Sequence, residues 1–71
     1  MLNREQAIEK LNEILGENTE TQFEERHERS AVGGDMEFLV SNKKGLAVQV
    51  EMVYVEDQDI LKYRLNEEWV K

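Results

Sequence analysis

Cysteine and proline are both absent from the 71 residues. Without cysteine, no disulfide or thiolate-held metal can supplement the core. That core is thin, because a chain of this length buries only about 60% of the surface it exposes when unfolded. Without proline, nothing sharply interrupts the chain. Apolar runs are short, of the order of Leu46-Ala47-Val48 and Val53-Tyr54-Val55, so no stretch approaches a membrane span and no membrane partner is expected. The opening Met1-Leu2-Asn3-Arg4-Glu5 is acidic and helix-like and lacks the basic and apolar regions of a secretory leader. With the missing cysteines, this leads us to expect a cytoplasmic protein.

Basic residues are scarce as well, with nine Lys and Arg against sixteen Asp and Glu and a net charge of −7. Direct binding of nucleic acid through its phosphates needs clustered bases and is not expected. The balance fits a well-solvated surface, a basic protein partner, or mimicry of a polyanion.

Catalytic and metal-binding equipment is also thin. His27 is the single histidine, in Glu24-Glu25-Arg26-His27-Glu28. The Glu24–His27 spacing occurs in di-iron helices, but those need a second such pair and further carboxylates. A solvated or hydrogen-bonded histidine is the expectation. Ser30 and Ser41 lie outside any Gly-x-Ser-x-Gly context. Gly33-Gly34 and Lys43-Lys44-Gly45 lack the spacing and the following helix of a phosphate loop. The abundant carboxylates fall mostly on polar faces, where nothing separates their pKa values for acid–base work. The expectation is a protein that is not an enzyme and needs no cofactor.

A hydrophobic fraction of 39% beside a charged fraction of 35% reads as a globular chain. Residues 1–71 form one small domain on length alone. Ala7, Ile8, Leu11, Ile14 and Leu15 recur at three- and four-residue steps and predict an amphipathic helix over Asn3 to Leu15. Asn3 and Gln6 suit a capping box, and Gly16 suits a left-handed stop.

Residues 17–32 carry two conflicting signals. Thr21 with Glu24 fits a helix start, but Phe23 is the only large apolar residue of that helix. The alternative is a polar edge strand with Phe23, Glu25, His27, Arg29 and Ala31 on one side, turning at Gly33-Gly34 into Met36. We take the strand as the expectation.

The second half alternates clearly. Met36, Phe38 and Val40 precede Asn42-Lys43-Lys44-Gly45, which suits a type I turn closed by a left-handed glycine. That turn pairs Val40 with Val48, Phe38 with Val50 and Met36 with Met52. Across the acidic turn Glu56 to Asp59, Val55 pairs with Ile60, Tyr54 with Leu61, Met52 with Tyr63, Val50 with Leu65 and Glu51 with Arg64. A slip of one residue breaks every apolar match, so pattern and turns support each other. The end, Asn66 to Lys71, reads as a short helical turn or a tail, with Trp69 as a core lid or interface anchor.

The expected fold is therefore α+β, an N-terminal helix packed on one face of a three- or four-stranded antiparallel meander. Its stripe would cover Phe38, Val40, Val48, Val50, Met52, Tyr54, Leu61 and Tyr63. Two surfaces then invite attention. Leu39, Val53, Val55 and Ile60, with Ala47, would lie on the sheet's outer face, where antiparallel sheets usually show polar residues. Glu5, Glu9 and Glu13 stand at four-residue spacing opposite the helix's apolar stripe. The leading expectation is a small non-enzymatic protein-binding or regulatory module whose partner is another protein or a second copy of the chain, as a homodimer. The alternatives are a nucleic-acid-mimicking inhibitor of a basic protein, and a small-ligand binder with a pocket between helix and sheet.

Overall fold

The computed structural model describes residues 1–66; the tail reading and Trp69 lie outside them. The element order is α1 (Arg4–Leu15), α2 (Glu20–Gly33), β1 (Glu37–Ser41), β2 (Ala47–Val55) and β3 (Ile60–Asn66). The strands form an antiparallel sheet in the order β1-β2-β3, giving an α+β architecture of two helices and three strands among the described residues.

Local chemistry accounts for α1. The Asn3 side chain accepts a hydrogen bond from the Gln6 backbone N–H at 2.8 Å, and Gln6 Oε1 accepts from the Asn3 N–H at 3.0 Å. Two otherwise unpaired donors are thereby satisfied, as the capping box requires. Gly16 ends the helix at φ 71°, a region open to glycine without a Cβ clash. The apolar stripe falls where periodicity put it. Ala7, Leu11 and Leu15 are buried, and Ile8 and Ile14 pack against them half-buried.

Residues 20–33 are a helix, not the expected edge strand. At its start, Asn18 Oδ1 accepts from the Glu20 N–H at 3.0 Å. Thr21 is not the cap: Thr19 precedes the helix, and its hydroxyl donates to Asn12 Oδ1 at 2.8 Å, tying the link back to α1. At its end, Gly34 N–H donates to the Ala31 carbonyl at 3.3 Å and Asp35 N–H to the Ser30 carbonyl at 2.9 Å. This is a Schellman closure around a left-handed Gly34 (φ 81°), so the Gly-Gly pair stops a helix and does not turn a hairpin. Runs of Glu, Gln, Arg and Ala favour the helix locally. What compensates its poor apolar face is polar docking onto β1. Gln22 Nε2 donates to the Ser41 carbonyl and Gln22 Oε1 accepts from the Ser41 N–H, both at 2.8 Å. Ser30 Oγ reaches the Glu37 carbonyl at 3.3 Å.

The sheet registers are those the alternation predicts: Phe38 with Val50, Val40 with Val48, Met52 with Tyr63, Tyr54 with Leu61, and Val55 with Ile60. Met36 lies just before β1, and the Met52 N–H donates to its carbonyl at 2.8 Å, so the register continues one residue past the strand. The β1–β2 turn is pinned by Asn42, whose Oδ1 accepts from the Lys44 and Leu46 N–H groups at 2.9 and 3.0 Å. Gly45, at φ 90°, supplies the left-handed position.

Both helices contact the sheet, α1 along β3 and α2 along β1. The core between them holds Ala7, Leu11, Leu15, Phe23, Phe38, Val40, Val48, Val50, Met52 and Tyr63. Tyr54 and Leu61, expected under the helix stripe, are instead 50% and 37% exposed. The reason is reach. Leu2 bridges Tyr63 through mutual backbone hydrogen bonds of 2.9 and 2.8 Å, which anchors the start of α1 at the Tyr63 level. At its other end the Leu15 carbonyl accepts from Asn42 Nδ2 at 2.9 Å, at the β1–β2 turn. The helix thus runs away from the β2–β3 turn and leaves that end of the hairpin uncovered.

Candidate functional site

Three places in the fold bring chemically distinctive residues together: a polar cluster between helices and sheet, the uncovered hairpin end, and the acidic ridge of α1.

The polar cluster joins α2 to β3. His27, half-buried, places Nε2 2.8 Å from the Tyr63 hydroxyl, while Tyr63 is only 3% exposed. Phe23, fully buried one helical turn before His27, packs edge-on against Phe38 and Tyr63 at 5.3 and 5.6 Å between ring centroids. Arg4 closes the cluster from α1. Its Nη2 pairs with Glu24 Oε2 at 2.6 Å and its guanidinium carbon lies 5.7 Å from the Phe23 ring centroid. Burial and the nearby Arg4 charge push the His27 pKa below its usual value, against a smaller opposing pull from Glu24. Burial likewise raises the Tyr63 pKa. Both groups are therefore neutral at pH 7. Neutral His27 and the Tyr63 hydroxyl share one hydrogen bond at Nε2, the phenol donating where the ring proton sits on Nδ1 and the imidazole donating where it sits on Nε2. The buried phenol and the aromatic packing around it make this a structural joint between helix and sheet.

The hairpin end has the opposite character. Among the described residues, β2 and β3 continue beyond the level of Tyr63 and Met52 as a two-stranded ribbon. Tyr54 and Leu61 show on the inner face, Val55 and Ile60 on the outer. Met36, 51% exposed beside the chain reversal from α2 to β1, adds apolar surface, whereas Val32, 84% exposed, lies with Glu25, Glu28 and Arg29 on α2. The turn itself carries Glu56, Asp57 and Asp59, all exposed. Asp59 is the one non-glycine residue at positive φ among those described, and it accepts a hydrogen bond from the Tyr54 hydroxyl. That bond raises the Tyr54 pKa and holds the ring beside the turn.

The four outer-face residues singled out by sequence divide into two groups. Val53 and Val55, half-buried, and Ile60, 40% exposed, share the hairpin end. Leu39, 44% exposed, lies on β1. A polar network separates it from them: Asn66 Nδ2 donates to Glu51 Oε1 at 2.6 Å and to Gln49 Oε1 at 3.2 Å, and Arg64 approaches Glu51 at 3.7 Å. Ala47, expected with them, is buried.

Glu5, Glu9 and Glu13 are all exposed along α1, as their spacing predicts. Among the described residues, none of the three forms an ion pair. A shallow groove beside them, between α1 and α2, is lined by Arg4, Glu5, Ile8, Glu20 and Glu24. No trio of His, Asp or Glu side chains converges in a metal-holding arrangement among the described residues.

Sequence reasoning missed Tyr54 and Leu61 because alternation assigns a residue to a face but not to the part of that face a helix covers. Lengths carried the missing signal. A twelve-residue α1 spans about 18 Å, whereas a nine-residue β2 spans about 30 Å, so part of β2 had to emerge.

No protein-family model, curated protein or solved structure matches this chain.

Proposed function

We propose that this protein is a small non-enzymatic binding module that engages another protein through the end of its β2–β3 hairpin. The observation that carries this reading is the exposure of Tyr54 and Leu61 on the sheet face that elsewhere packs Phe38, Val40, Val48, Val50, Met52 and Tyr63 into the core. Burying them is worth roughly 25 cal/mol per Å² of apolar surface removed from water, and the fold leaves that gain unused. Aromatic and aliphatic side chains grouped at one end, with charge at the rim, have the composition of a protein-contact patch. Met36 extends the patch toward α2, and Val55 and Ile60 wrap it round the opposite face.

The test compares single variants of the full chain as immobilised baits in extracts of cells that express the protein. Circular dichroism first establishes that each variant is folded. A protein retained by wild type and by Leu39→Lys, but lost from Leu61→Glu, supports contact at the hairpin end. Retention by all three baits, or loss from Leu39→Lys alone, overturns it.

A second reading draws support from the exposed ridge Glu5, Glu9 and Glu13, whose members take part in no ion pair among the described residues. On that reading α1 presents carboxylates in place of phosphates to a nucleic-acid-binding protein. Retention should then collapse in Glu9→Lys and survive in Leu61→Glu, and should weaken steeply with salt.

A further inference from the structure

Resting on the hairpin-end reading, we infer that its occupant is a basic, extended segment of a partner protein that adds to the sheet beside Tyr54. Charge selects the partner. Glu56, Asp57, Asp59 and Asp35 are all exposed around the apolar end, on a chain whose net charge is −7. A second copy of the chain would bring the same carboxylates against them, so self-pairing at this end is opposed. A segment carrying Lys or Arg between apolar residues meets attraction at the rim and apolar contact at the centre. Lys62, the basic residue that follows Leu61 in β3, lies on the outer face. It faces Val53 across the strands, on the side away from Tyr54 and Leu61.

The backbone favours an extended occupant. In an antiparallel sheet, the N–H and C=O of alternate residues point to opposite neighbours. The Met52 N–H points toward β1, where it meets the Met36 carbonyl, so the N–H and C=O of Tyr54, two residues on, point the same way. The last β1 partner of β2 is Glu37, opposite Glu51, and the chain then departs into α2. Among the described residues, no strand pairs with Tyr54 on that side. The same parity applies to β3. Tyr63 directs both of its backbone groups outward to Leu2, and Leu61 directs its own along the same edge. The bridge at Leu2 shows that this hairpin already takes a short extended segment on one edge. The open position at Tyr54 offers the equivalent place on the other. Strand addition combines these main-chain bonds with side-chain contacts at alternate positions, and here Tyr54 and Val55 present apolar surface to successive residues of the added strand.

The probe is the hexapeptide Lys-Val-Lys-Val-Lys-Val, titrated into the isotope-labelled full chain and followed by amide NMR, with Glu-Val-Glu-Val-Glu-Val as control. The expected result is saturable shifts centred on residues 53–61, slowed hydrogen exchange at the Tyr54 amide, and no response to the acidic peptide. Affinity should fall about tenfold as salt rises from about 50 mM to about 300 mM, because the rim contacts are exposed. Shifts centred on Glu5, Glu9 and Glu13, or no saturable response, overturn the inference. If no response is accompanied by loss of a cellular partner in Leu61→Glu, the contact surface stands and only the class of its occupant fails.

Discussion

Phe23 is the residue on which the attachment of α2 depends most heavily, and replacing it with alanine probes the fold directly. It is the only large apolar side chain that α2 buries, and it is fully sequestered between Phe38 and Tyr63. Truncating a buried phenylalanine costs about 3–5 kcal/mol through lost transfer energy and the cavity left behind. A domain of this length is held by roughly 4–10 kcal/mol in all, so Phe23→Ala should fold marginally or not at all. Phe23→Leu keeps most of the volume and loses the two edge-on aromatic contacts, each worth about 0.5–1.5 kcal/mol beyond area. We expect that variant to fold with a deficit of about 1–3 kcal/mol. Urea unfolding followed by far-ultraviolet circular dichroism measures both. If Phe23→Ala loses less than about 1.5 kcal/mol, α2 is not anchored by this side chain, and the packing described above is refuted.

Three further outcomes are expected. The His27 pKa is lowered in the folded state by burial and by Arg4, so the unfolded chain binds the proton more readily. The contribution of His27 to stability is therefore complete above its unfolded value near 6.5 and declines as pH falls from there toward the folded value. Comparing urea midpoints at pH 7.5 and pH 5.5, His27→Gln should show a smaller drop than wild type, and an equal drop would contradict the assignment. Arg4→Ala removes a two-pronged ion pair whose side chains are 44% and 48% exposed. Its loss should cost under about 1 kcal/mol in a denaturant titration, and a loss above about 2 kcal/mol would mean that Arg4 is part of the core seal. Light scattering across concentration should give the monomer mass at low salt, since like-charged rims oppose self-pairing, whereas a stable dimer would point to the outer sheet face or an edge strand.

Much of the fold was readable because its signals are local. Asn3 with Gln6, Gly16 after Leu15, and Asn42 through Gly45 each act within a few residues, and the strand registers follow from matching apolar positions outward from each of the two turns. Residues 17–32 were misread because the balance there is not local. A helix showing only Phe23 as a large apolar residue looks unsupported until Gln22 and Ser30 are seen to bond the backbone of β1. Those contacts span distant parts of the chain, and no periodicity announces them. The same misreading hid the His27–Tyr63 joint, since a strand over these residues carries no expectation of a histidine facing β3. At the candidate site, Val55 and Ile60 were legible from alternation alone. Tyr54 and Leu61 were not, because their exposure depends on where α1 starts and which way it runs, and the single Leu2–Tyr63 bridge sets its starting level.

That Tyr54 and Leu61 serve contact and not the core is tested most directly by the unfolding free energy of the double variant Tyr54→Thr, Leu61→Thr. A cross-strand pair on an exposed ribbon is worth about 0.2–1 kcal/mol, so the variant should stay within about 1 kcal/mol of wild type. A loss above about 2 kcal/mol would place both residues in the core and remove the hairpin end as a free binding surface.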